Sequence, residues 1–214
     1  MAFNPSLWGR GVLLTGLTPT ATLSGYVALI TLDNIPVEAI DAGANSALNG
    51  GGDLRFSTDI DGINQLPLEV VSFVASASPA SRSCQLWVRF PSYTSSSREV
   101  YMFYNRAGQT QPIVTDPFGR NSVWQDFELV IHQGTSSDST GNHSPTINGS
   151  LSLQDMMWGG QGYLIDDADN YISIPHASSL NIERDYSLSI WNDTPQVSNA
   201  QVLFFKCIDN TTGF

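Results

Sequence analysis

The chain has 214 residues, of which 41% are hydrophobic, 10% aromatic and only 14% charged, a balance that builds folded cores and excludes wholesale disorder. Twenty acidic residues against nine basic ones set the net charge at −11, and the basic set is a single lysine, Lys206, with scattered arginines. Clustered cations of the kind that grip phosphate backbones or anionic membranes are missing, and no apolar run approaches the roughly 18 residues a membrane span needs.

From the N-terminus, residues 1–25 lack the basic start, unbroken apolar run and small-residue cleavage site of an export signal. Phe3, Leu7, Trp8 and residues 12–17 are apolar without an evident partner, so this stretch is expected to be an arm making an assembly contact. The competing reading makes it the first strand of the module that follows.

Strand signals then dominate. Residues 26–32 (YVALITL), 68–74 (LEVVSFV), 83–90 (SCQLWVRF), 98–105 (REVYMFYN) and 127–132 (FELVIH) are short runs rich in β-branched and aromatic residues, punctuated by Gly, Asn, Asp and Ser. A second group comprises 161–165, 171–174, 186–191 and 202–208. One helical signal, at 36–48, begins on Pro36 and is too short to change the class. The pattern predicts an all-β chain of two antiparallel β-sandwich, jelly-roll-like modules: 1–25 an arm, 26–118 the first module, 119–214 the second. Residues 108–120, with Pro112 and Pro117, read as the linker between them. About five strands follow Ser122 where a jelly roll needs about eight, so the second module is expected to be completed by further chain or by neighbouring chains.

Few patterns carry chemistry. Asp59-Ile60-Asp61-Gly62 opens like a calcium loop, but the distal acidic ligand is missing and a tight turn accounts for the same residues. Asp166, Asp167 and Asp169, between two strand runs, are the candidate calcium ligands, a solvated turn being the competing account. Calcium is the one cofactor candidate. The five glutamates, Glu38, Glu69, Glu99, Glu128 and Glu183, do not form a paired-carboxylate glycosidase motif. His132, His143 and His176 lack metal-ligand spacing, and the nearness of His132, Asp138 and Ser139 in sequence does not predict a triad. Trp158, in the turn-like stretch 156–160, is the aromatic expected to be exposed; with Tyr163 and Asn170 it forms the candidate ligand-binding set. Cys84 and Cys207 sit in strand runs and read as buried thiols, a disulfide being the alternative.

The order of several of these motifs resembles a known arrangement. Gly52-Asp53-Leu54-Arg55-Phe56, Asp61-Gly62, Leu66-Pro67-Leu68-Glu69, Trp87-Val88-Arg89-Phe90-Pro91 and residues 101–105 resemble a bacterial and phage domain of unknown function that precedes laminin-G-like, concanavalin-A-type lectin folds. Trp124, Asp138-Ser139-Thr140-Gly141-Asn142, residues 159–163, 169–175 and 186–191 resemble the start of such a lectin-like fold. Where the first family has a Tyr-Tyr-Gly-Asn turn, this chain has Phe103-Tyr104-Asn105-Arg106. The resemblance implies display, attachment or assembly. The expectation is a non-enzymatic bacteriophage virion protein, a capsid decoration or tail appendage, released by lysis. Its partners would be other virion proteins, copies of itself and host-surface glycans, with no nucleic acid and no membrane insertion. A carbohydrate-binding module of a bacterial surface protein is the alternative, and a glycoside hydrolase a weaker one.

Overall fold

Alternating apolar residues along short strands sort side chains to the two faces of each ribbon, and the inward faces decide how the ribbons stack. A computed structural model describes residues 3–14, 22–93, 99–132, 134–155, 161–164, 169–181 and 187–190. Within them the chain is mostly β, with antiparallel pairing throughout and a single α-helical turn.

A four-stranded sheet has the order β1 (Arg10–Leu14), β7 (Val100–Tyr104), β3 (Arg55–Ser57), β4 (Gln65–Leu66). A three-stranded sheet has the order β2 (Leu23–Ile30), β6 (Ser83–Tyr93), β5 (Leu68–Val74). Leu14, Phe56, Leu66, Val100 and Met102 from the first and Ala28, Ile30, Leu68, Leu86, Val88 and Phe90 from the second belong to one buried cluster. Fully burying each larger side chain contributes about 1.5–3 kcal/mol, so this shared core dominates the stability of the chain.

Strand 68–74 has the expected bounds, and the runs at 26–32, 83–90 and 98–105 appear as β2, β6 and β7 with shifted ends. Part of the expected arm is strand: β1 pairs with β7 from Arg10↔Tyr104 to Leu14↔Val100, the competing reading for that stretch. Strand β3 escaped notice because it is three residues long and carries Arg55, yet all three are buried. Arg55 ties the neighbouring loop down by donating to the carbonyls of Gly52, Leu54 and Thr110. At the end of β7, Asn105 is left-handed with φ 62° and its carbonyl accepts from Gly9 N–H. Asparagine tolerates this conformation better than most residues.

Two expectations are corrected. Residues 36–48 form only one 3-10 turn, Val37–Ala39. Asp41 accepts the Gly43 N–H, Ser46 bonds back to Ala39 O, and Asp53 accepts the Leu48 N–H, so side chains take up groups a helix would use. Residues 127–132 contribute only an isolated bridge, Ile131↔Asp138. There the Val130 N–H goes to the Asp138 carboxylate instead of to a neighbouring strand. The stretch expected as a linker ends in α1 (Arg120–Val123). Gly119 begins it because a Cβ would lie 2.1 Å from Ile113 O.

Beyond residue 143, β8 (Thr146–Asn148) pairs with β11 (Tyr171–Ser173), and β9 (Ser152–Asp155) with β10 (Gln161–Leu164). Among the described residues no large hydrophobic side chain after Trp124 is buried. Residues 187–190 are not strand, and the expected strand at 202–208 lies outside the described residues.

Candidate functional site

The main concentration of buried polar chemistry lies on the outward face of the β5–β6 pair. Strict alternation in β5 places Leu68 in the core and Glu69 on the opposite face, across from Trp87 of β6. Glu69 is only 5% exposed, because residues 118–143 fold over it. Its Oε2 accepts from Trp124 Nε1 at 2.5 Å and lies 2.9 Å from His132 Nε2, and its Oε1 accepts from Ser139 Oγ at 2.7 Å. His132 stacks on Trp87 with ring centroids 5.6 Å apart and planes 18° apart, and Trp124 meets Trp87 edge-on at 5.3 Å. Arg89, the next outward residue of β6, pairs with Asp126 at 2.5 Å.

The loop delivering Ser139 is organised by Asp138. Its Oδ1 accepts Val130 N–H and Thr140 N–H; its Oδ2 accepts Thr140 Oγ1, Asn142 N–H and His143 N–H. Burial pushes this carboxyl up, but the hydrogen bonds led by Thr140 Oγ1 outweigh it and hold Asp138 below the usual aspartate range. This explains locally the run Asp138-Ser139-Thr140-Gly141-Asn142: acceptor, hydroxyl donors, then Gly141 in the left-handed region at φ 79°.

A cavity of about 260 Å³ opens beside Glu69, bounded by β5, Gln111, Pro112, Val114, Arg120 and the loop carrying His132 and Ser139. The Arg120 Nε is shielded from solvent and has no hydrogen-bond partner among the described residues.

Chemically the cluster is a fastener. Acyl transfer needs a hydroxyl hydrogen-bonded to an imidazole that is itself oriented by an acid. Here Ser139 donates directly to the acid, and among the described residues no hydrogen bond joins Ser139 to His132. Asp138, the nearby second carboxylate, has both oxygens taken by its own loop. The described residues contain no group of three His, Cys, Asp or Glu side chains placed to hold a metal ion.

Of the residues singled out in sequence, Phe3 and Trp8 come together. Their rings meet edge-on at 5.1 Å, and Phe3 also meets Phe103 at 5.0 Å. Trp8 is buried, donates Nε1–H to Asp53 O at 2.6 Å and lies under Arg106 at 4.3 Å. These two side chains therefore pack within the chain, while Leu7 is exposed. Tyr163 is half-buried on β10, and Asn170, on the turn before β11, accepts the Ser150 N–H through Oδ1. Tyr163 belongs to the β9–β10 ladder, whereas Asn170 precedes a strand of the β8–β11 ladder. Asp169 is exposed; Trp158, Asp166 and Asp167 lie outside the described residues. In the turn 57–64 the Asp59 carboxylate accepts Ser57 Oγ, Ile63 N–H and Asn64 N–H. Cys84 is a buried free thiol that burial pushes up to about 12. Cys207 lies outside the described residues.

Glu69 and Trp124 stand out in the sequence only within the resemblance motifs, as one of five glutamates and one of five tryptophans, and nothing there joins them to each other or to Arg120. The available signal was a lone glutamate inside the apolar run LEVVSFV, a position where burial demands partners. No family model matches this chain, and neither does any curated protein or solved structure.

Proposed function

We propose that this chain is a non-catalytic structural and attachment protein of a bacteriophage particle, a capsid decoration or tail appendage, built from two β-sandwich modules of which the second is lectin-like. The observation that carries the reading is the Glu69 cluster. In it Glu69, His132 and Ser139, the groups there that could do acid–base or nucleophilic work, are engaged in holding residues 118–143 on the β5–β6 face. The resemblance of residues 52–105 to a domain preceding lectin-like folds supports the same reading, although fold analogy alone does not fix function. No helix among the described residues is long and apolar enough to cross a membrane. The attachment role keeps Leu7 as an assembly contact, with Trp158, Tyr163 and Asn170 as glycan contacts and Asp166, Asp167 and Asp169 as calcium ligands.

The test uses the phage or prophage whose genome encodes the chain. An antibody to the chain is expected to label its purified particles, and the free chain to compete with particles for host cells. Unlabelled particles together with unaltered adsorption refute the proposal.

A further inference from the structure

Asn-Gly occurs twice in the chain, at Asn49-Gly50 and Asn148-Gly149, and the fold treats the two pairs differently. Asparagine before glycine is chemically labile, because the glycine nitrogen can reach the side-chain carbonyl carbon to close a five-membered ring and no Cβ stands in its way. At the first pair both reacting groups are engaged: Gly50 N–H donates to Phe73 O at 2.9 Å, and Asn49 Oδ1 accepts the Ala75 N–H at 3.0 Å. Phe73 is a core residue of β5, so this turn is released only when the end of that strand is. At the second pair Gly149 is exposed, and its N–H has no hydrogen-bond partner among the described residues. Asn148 ends β8, whose ladder with β11 has two strands of three residues each. Ladders of that size are marginal in water and open locally at little cost. Nor can a less reactive residue follow Asn148, because position 149 has φ 75° and a Cβ there would lie 2.1 Å from Asn170 Oδ1.

We infer that Asn148 is a site of spontaneous self-modification, converting to aspartate and isoaspartate through a ring closed with Gly149, while Asn49 is kept as asparagine. The Gly149 nitrogen gives up its proton to base and bonds to Asn148 Cγ; the Cγ–Nδ2 bond breaks, and Nδ2 takes a proton from water and leaves as ammonia. Water then opens the cyclic imide at either carbonyl, so the net reaction consumes water and releases ammonia with no change of oxidation state. The product loses bonds that asparagine makes. Asn148 Nδ2 donates across the ladder to Ser173 Oγ at 2.9 Å and to Thr146 O at 3.2 Å, and a carboxylate has no proton for Thr146 O. Isoaspartate also lengthens the backbone by a methylene, which ends the register of Asn148 with Tyr171. Conversion therefore releases the β8–β11 ladder, and with it the Ser150 N–H bond to Asn170 Oδ1. The inference does not rest on the attachment reading, although Asn170 is among the glycan contacts named there.

The full chain is held in mildly alkaline buffer, native and in concentrated urea, and the two Asn-Gly peptides are followed by mass spectrometry, a gain of about 1 Da marking conversion and ammonia release serving as the second readout. In the native chain, conversion at Asn148 is expected to be about tenfold or more faster than at Asn49, whereas in urea, with the hydrogen bonds of both pairs gone, the two rates converge. Asn148→Gln is expected to remove the gain at that position, since glutamine would have to close a larger ring. Asn148→Asp is expected to speed limited proteolysis between residues 146 and 173 about threefold, because cleavage follows the open population of the ladder. Equal native rates, faster native conversion at Asn49, or an Asn148 that converts in urea but not in the native chain overturns the inference. Proteolysis unaltered by Asn148→Asp overturns the release of the ladder.

Discussion

Replacing Glu69 by alanine tests whether residues 118–143 are fastened by this one carboxylate. The substitution strands three donors, Trp124 Nε1, His132 Nε2 and Ser139 Oγ, in a region where Glu69 and His132 are both more than nine-tenths buried. An unsatisfied buried donor costs about 1–3 kcal/mol. The adjoining cavity lets water reach part of the cluster, which favours the lower end of that range for Ser139 and His132. The expected total is about 3–5 kcal/mol, matching the loss seen when one partner of a buried pair is removed. For a chain of this size that corresponds to a fall in Tm of roughly 10 °C. Glu69→Gln keeps an acceptor for Trp124 and His132 and turns its amide toward Ser139, whose hydroxyl can accept, so its cost is about 1–2 kcal/mol. Urea unfolding followed by circular dichroism and by tryptophan fluorescence measures both, and limited proteolysis within 118–143 reads local release. A loss below about 1 kcal/mol for Glu69→Ala would refute the reasoning, because three stranded donors cannot cost so little.

Trp8→Ala removes the edge contact with Phe3, the Arg106 stacking and the bond to Asp53 O, and is expected to cost about 3–5 kcal/mol in thermal unfolding, whereas Trp8→Phe costs about 1–2 kcal/mol. Asp138 is held below its ordinary value of 3.8, so its contribution is present above that pH and lost as the pH falls through the lowered folded-state value. Stability measured against pH should therefore drop at the acid end, and Asp138→Asn should flatten that part of the curve; an unchanged slope would sink the assignment. Cys84, its thiol raised to about 12 by burial, should resist a maleimide at pH 8 in a Cys207→Ser background until the chain is unfolded. Rapid labelling of the native chain would show that β6 is not buried as described.

The class of this protein and four of its main strands were legible in sequence. Side-chain alternation and turn residues are local signals that act through the backbone of each segment, and 68–74 appears with its expected bounds. Burial of Cys84 was legible for the same reason. Tertiary packing alone decided that Trp8 is buried under Arg106 and that β1 enters a sheet through β7, since pairing partners some 90 residues apart leave no local trace. It also decided that residues 127–132, strand-like in composition, lie across a sheet face with their backbone bonded to Asp138. The Glu69 cluster joins residues separated by 55 to 70 positions, and neither Ser139 nor His132 announces a carboxylate so distant. Periodicity records which face a residue presents; only the folded chain records what that face meets.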